Sequence, residues 1–256
     1  MLDVYLHPFM QKKIRVGAVS YLNTKPLIYG FENGKMKNEI ELTLDYPAKL
    51  MTSLQKNQLD IALLPVASIS SIPNTEIISS YCIASNKQVA SVCLFSEVPI
   101  EEIQEIYLDY QSRTSVALLR ILLRDYWHMR PMLLDADVDY INKIKGKTAG
   151  IIIGDRALEH YNHFPYRYDL AEAWFEHTQL PFVFAAWVTN QSLTDDFKSD
   201  FNKAIGEGLK HIDDILASNS LKEYDLKIYF TDNISYELTE DKQKGLTMFL
   251  KLQEGL

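Results

Sequence analysis

The spacing of apolar positions changes along the chain, and each change marks an element. Residues 14–19 are a β-branched apolar run that stops at Ser20 and passes through Asn23 and Thr24 to a helix opened by Pro26. Residues 39–45 then alternate, with Ile40, Leu42 and Leu44 on one face, as a half-buried strand does. Leu50, Met51 and Leu54 fall at helical spacing within 48–56, and residues 60–65 form a short buried strand ended by proline. Strand, helix, strand, helix, strand is the alternation of a mostly parallel sheet. Two further apolar strands are expected at 77–83 and 89–95.

A second series begins near residue 97. It predicts a strand at 105–108, a polar turn at 112–115 and a helix over 116–126 with Val116, Leu119, Leu122 and Leu123 inward. Strands follow at 131–134 and 148–153, a short helix after Gly154-Asp155, a helix at 171–178 and an apolar strand at 181–187. The rest reads as helix: Phe197, Phe201, Ile205, Leu209, Ile212 and Leu216 make one stripe, and Met248, Leu250 and Leu252 close the last amphipathic segment. The expected fold is α/β with two lobes, each a mostly parallel sheet flanked by helices. Crossings near 95–98 and 183–188 divide it into lobe I, residues 1–96 plus 186–256, and lobe II, residues 97–185. A cleft between lobes is where a small ligand binds by default.

Composition narrows the partners. With 26 Lys and Arg against 34 Asp and Glu the net charge is −8, and no basic run gathers on any segment, which argues against nucleic acid. That charge repels a small dianion at long range, so an anionic ligand must be held by local dipoles, hydroxyls and a few placed cations. No segment has the ~18 uninterrupted apolar residues of a membrane span. The first thirteen residues hold only a short apolar stretch broken by His7 and Pro8, with no cationic start, so a cytoplasmic protein without an export signal is expected. Cys82 and Cys93 sit in apolar runs that read as adjacent strands, and two cysteines make no disulfide framework; buried thiols are expected.

Four polar turns each follow an apolar strand: 20–24, 85–91, 111–115 and 154–155. In open α/β sheets ligands bind beyond the carboxyl ends of strands, so these turns should meet at one cleft. Ser20, Tyr21 and Asn23 lie at a strand end and helix start, where free amides favour an anion. The hydroxyls of Ser112, Thr114 and Ser115 can cradle a carboxylate or simply cap a helix. Asp155 can act as an acid or base, or cap the short helix after Gly154. His160 and His163 lack the further ligands of a zinc site, and the glycine-rich signatures of dinucleotide and triphosphate sites are absent, as is the hydrolase elbow. No cofactor or metal is expected. Trp127, Trp174 and Trp187 lie in apolar surroundings and read as core.

Six segments in order resemble the chorismate dehydratases of the futalosine route to menaquinone: Val19-Ser-Tyr-Leu-Asn-Thr-Lys-Pro-Leu27, Leu59-Asp-Ile-Ala-Leu-Leu-Pro65, Val89-Ala-Ser-Val-Cys-Leu-Phe-Ser96, Ser112-Arg-Thr-Ser-Val116, Ile152-Ile-Gly-Asp155, and Tyr168-Asp-Leu-Ala-Glu-Ala-Trp174 leading to Leu180-Pro-Phe-Val-Phe-Ala-Ala-Trp187. The resemblance covers residues 13 to 190. It implies a periplasmic-binding-protein-like fold used as a cofactor-free lyase that removes water from chorismate. It further implies that Asn23 positions the enolpyruvyl arm or the departing hydroxyl, that Ser91 and the 112–115 turn hold a carboxylate, and that Tyr21 and Gly154 line the cleft. The proton acceptor is then the substrate's own enolpyruvyl carboxylate, with Asp155 as the alternative. A sister dihydroxynaphthoate synthase shares this fold but opens with a Ser-Pro-Cys-Pro-Asn type of turn, from which Ser-Tyr-Leu-Asn-Thr departs. A non-catalytic solute-binding protein is the alternative of a different class, and it would need an export signal.

Overall fold

A computed structural model describes residues 13–256; the stretch around His7 and Pro8 lies outside the described residues. The chain runs β1 (Ile14–Val19), α1 (Lys25–Asn33), β2 (Ile40–Asp45), α2 (Pro47–Gln55), β3 (Ile61–Pro65) and β4 (Glu76–Ser85), then crosses to a second body. That body holds β5 (Val92–Ser96), β6 (Glu105–Leu108), α3 (Arg113–Asp125), β7 (Met132–Asp135), β8 (Thr148–Ile153), α4 (Asp155–Glu159), β9 (Tyr166–Asp169) and α5 (Leu170–Thr178). The chain returns through β10 (Phe182–Thr189), α6 (Asp195–Gly208), α7 (Ile212–Ala217), α8 (Leu226–Ile228), β11 (Ser235–Glu237) and α9 (Glu240–Gln253). No described helix is long and apolar enough to cross a membrane.

Two sheets result, a six-stranded one ordered β11-β4-β10-β3-β1-β2 and a five-stranded one ordered β7-β6-β8-β5-β9. The parallel alternation expected from the early periodicity is the β2-β1-β3 half of the first sheet, and β7-β6-β8 repeats it in the second. Both sheets are mixed, because a strand arriving from a crossing runs against its neighbours: β10 between β3 and β4, and β5 between β8 and β9.

The crossings therefore fall at residues 86–91 and 179–181, a few residues ahead of the positions expected from the sequence. β5, assigned to lobe I on sequence, belongs to the second sheet, and all of β10 belongs to the first. Cys82 on β4 and Cys93 on β5 are buried free thiols, but on different sheets rather than adjacent strands. An apolar run announces a buried strand without saying which sheet buries it.

Other expectations shift for local reasons. Leu44 is 45% exposed, because β2 is the edge of its sheet. The 112–115 turn is the first turn of α3, with Ser112 as its N-cap. The stripe from Phe197 to Leu216 is broken by a tight turn at Leu209–His211 between α6 and α7. β9 was not foreseen, and the stretch expected to be helical after β10 is interrupted by β11, which pairs with β4. Trp174 and Trp187 are fully buried, and Trp127 packs partly buried against the same core.

The first lobe is tightly seated. Phe31 from α1, Phe201 from α6 and Trp187 from β10 stack or meet edge-on, with centroids 4.7 to 5.8 Å apart. A Cβ on Gly30 would stand 2.0 Å from the Ala204 carbonyl oxygen, so α1 and α6 can cross this closely only at glycine.

Candidate active site

The four polar turns meet, as expected, in one cleft between the sheets. Its floor is apolar, made by Val19, Pro65, Ile83, Ile153 and Phe184, and its empty space is about 550 Å³ including the part open to solvent. Each turn adds polar or glycine wall: Tyr21 and Asn23, then Ser91, then Gln111, Ser112 and Ser115, then Gly154. Among the lining residues there is no Asp, Glu, His, Lys or Arg.

On the first lobe, β1 ends at the cleft and a short turn (Leu22–Thr24) precedes α1. No side chain of its own caps this turn; the Leu22 N–H donates to Asp155 Oδ1 of the opposite lobe at 3.2 Å. Burial raises the Asp155 carboxyl above its ordinary value, against the pull of that amide. The Asn23 amide donates through Nδ2 to the Tyr229 hydroxyl at 3.1 Å, and its Oδ1 is buried without a partner. Tyr229 in turn donates to Ser91 Oγ at 2.9 Å. Burial raises the Tyr229 phenol, which stays protonated.

Ser91 belongs to the first crossing and is 1% exposed. Its carbonyl accepts from the Gly154 N–H at 2.7 Å. The preceding Ala90 has a φ of 62°, a conformation held by Asp169, whose Oδ2 accepts from the Val89 and Ala90 amides at 2.9 and 2.6 Å. Asp169 Oδ1 also caps α5 through the Ala171 and Glu172 amides. Burial pushes this carboxyl up to about 7 even though four amides favour its charged form.

On the second lobe, Ser112 Oγ accepts from the Ser115 N–H at 3.1 Å and bonds the Ser115 hydroxyl at 2.8 Å. The cap and the cleft wall are thus the same two serines. By helical geometry the amides of Arg113 and Thr114 have no carbonyl a turn before them, which gives the cleft an electropositive end. Gly154 has a φ of 64°, and a Cβ there would meet the Tyr21 ring at 3.3 Å, so glycine lets Tyr21 lie against this turn. Tyr21 reaches Gln111 Oε1 at 3.4 Å, and burial pushes its phenol up to about 12.

Three sequence candidates are not on the wall. Thr114 is 1% exposed and its hydroxyl accepts from the Ala67 N–H at 3.1 Å, which ties α3 to the segment after β3. Ser20 is exposed but does not line the cleft. Asp155 neither lines the cleft nor caps its own helix, since Gly154 is that helix's N-cap position.

Tyr229 and Arg156 were missed, and Gln111 was foreseen only as the first residue of the 111–115 turn. Arg156 sits one layer behind the wall, donating to Asp109 Oδ2 at 2.7 Å and Gln111 Oε1 at 3.0 Å. Tyr229 lies 206 residues from Asn23 in the chain, on a wide helical turn (Tyr229–Asn233) after α8, and no local signal marks it.

The family model described as menaquinone biosynthesis matches residues 14–254. The chain belongs to that family. Among relatives of this chain, a chorismate dehydratase of Campylobacter jejuni is 29% identical over 252 residues, 94% of this chain and 97% of the relative. A chorismate dehydratase of Thermus thermophilus is 26% identical over 68% of this chain and 71% of its own length. A Candida albicans gene product described as having the generic periplasmic binding protein fold superposes with a TM-score of 0.66 at 15% identity, covering 96% of this chain and 91% of the other. The periplasmic-binding-protein-like fold expected from the sequence is the fold observed.

Proposed function

We propose that this protein is a chorismate dehydratase, a hydro-lyase that removes water from chorismate to give 3-[(1-carboxyvinyl)oxy]benzoate for menaquinone synthesis. The two dehydratase relatives and the family support the substrate. The observation that carries the reaction type is the wall itself: amides, hydroxyls and helix-start amides, with no carboxylate, imidazole or ammonium among the lining residues. Such a wall can position a dianion and stabilise developing charge, but it offers no ordinary base.

The substrate supplies what the wall lacks. The C3 hydrogen of chorismate is activated through the ring diene by the ring carboxylate, and the carboxylate of the enolpyruvyl arm lies within reach of it. That carboxylate takes the C3 proton, the C3–H electron pair becomes the C3=C4 bond, and the C4 hydroxyl leaves as water with the same proton, handed on by the enolpyruvyl carboxyl group. Aromatisation drives the step. The α3 start with Ser112 and Ser115 holds the ring carboxylate, where charge builds as C3 loses its proton. Asn23 faces the C4 hydroxyl from the other lobe. The test is to mix purified protein with chorismate and follow the benzoate product by ultraviolet absorbance and mass. Unchanged chorismate would overturn the reading.

A further inference from the structure

Two amides face the cleft from opposite lobes, and each is held by a residue behind it. Asn23 gives its Nδ2 to Tyr229, so what remains for a ligand is Oδ1, a buried acceptor without a partner. Tyr229 cannot easily reverse this, because its own proton goes to Ser91 Oγ at 2.9 Å. Gln111 is held the other way round. Its Oε1 accepts from Arg156 at 3.0 Å and from Tyr21 at 3.4 Å, so its free group is the NH2, a pair of donors. Arg156 is itself fixed by Asp109, whose side chain is fully buried.

We propose that Tyr229 and Arg156 are positioning residues that set these two amides in opposite senses, so that the cleft distinguishes the two ends of its substrate. On the reading of the protein as a chorismate dehydratase, the Asn23 acceptor takes the C4 hydroxyl, a donor that the product no longer has. The Gln111 donors take a carboxylate, which substrate and product share. A buried acceptor left without a partner is unfavourable, and the substrate hydroxyl supplies the missing donor. The product, having no hydroxyl there, leaves the acceptor empty again, so the same atom that recognises chorismate favours release.

The two positioning residues therefore fail differently. In Tyr229→Phe the Asn23 amide is free to turn; kcat/KM for chorismate falls about tenfold or more, the scale of one lost hydrogen bond, while the product's inhibition constant stays within about twofold. In Arg156→Lys the charge is kept but the planar fork on Gln111 is lost, and kcat/KM and product inhibition weaken together. Circular dichroism and melting accompany both, and if one variant does not fold the other decides alone. A Tyr229→Phe enzyme that loses product affinity as much as turnover, or an Arg156→Lys enzyme that keeps full product affinity, overturns the proposal. Wild-type protein that leaves chorismate unchanged removes the functional reading and this proposal together.

Discussion

The turn after β1 and the turn after β6 look alike in sequence, each a strand end followed by polar residues and a helix, yet they are built on different plans. The turn before α3 is capped from within, since Ser112 caps its own helix and Ser115 closes on Ser112, while the Thr114 hydroxyl ties the helix to the Ala67 N–H of the first lobe. The turn before α1 borrows its cap from Asp155 across the cleft and its side-chain partner from Tyr229 on the returning segment. A helix start capped by its own residues keeps that cap wherever the lobes stand. One satisfied by distant residues changes with the relation of the lobes, and it is the one that carries the unpartnered acceptor on Asn23. On the proposed reading, the second lobe anchors the substrate and the first carries its reacting end.

The largest expected effect is at Asn23. Asn23→Ala and Asn23→Asp should each lose turnover by about tenfold or more, the scale of the hydrogen bond that orients the substrate hydroxyl, with the melting temperature little changed. Asp155→Asn is the counterpart: its Oδ1 still accepts the Leu22 amide, so kcat should fall by less than about tenfold. Steady-state kinetics on both variants decide; a dead Asp155→Asn enzyme beside a near-normal Asn23→Ala enzyme would make Asp155 the base.

The self-capped turn can be taken apart residue by residue. Thr114→Val leaves the buried Ala67 amide without an acceptor and should cost about 1–3 kcal/mol of stability with substrate affinity unchanged. Ser112→Ala should cost about 1 kcal/mol through the lost cap and also weaken chorismate binding. Urea unfolding and titration calorimetry separate the two. If Thr114→Val folds as wild type does but binds poorly, the threonine belongs to the site after all.

The last expected effect is in pH. Asp169, which holds the crossing beside Ser91, has its carboxyl raised to about 7, and Asp155 is raised as well. A carboxyl raised on folding keeps its proton longer in the folded state, so its contribution is full below the unfolded value near 4 and is lost as pH rises through about 7. His211, raised by Asp214 beside it, adds the same sign. The urea midpoint should therefore drop between pH 5.5 and 8. A flat or rising midpoint would mean that the four amides on Asp169 outweigh its burial.

Much of this protein could be read from the sequence alone. Apolar period, strand-ending prolines and polar turns are local properties, so they gave the α/β alternation, the two lobes and the four turns that line the cleft, with Tyr21, Asn23, Ser91, Ser112, Ser115 and Gly154 among them. What only the tertiary structure decided is pairing. Whether β5 joins the first sheet or the second, whether the Thr114 hydroxyl meets substrate or Ala67, and which way the Asn23 amide points all depend on groups far away in the chain. Tyr229, Arg156 and Asp169 enter the site region through such contacts. A hydrogen bond is set by a few ångströms and an angle, and no periodicity along the chain records which distant partner will satisfy it.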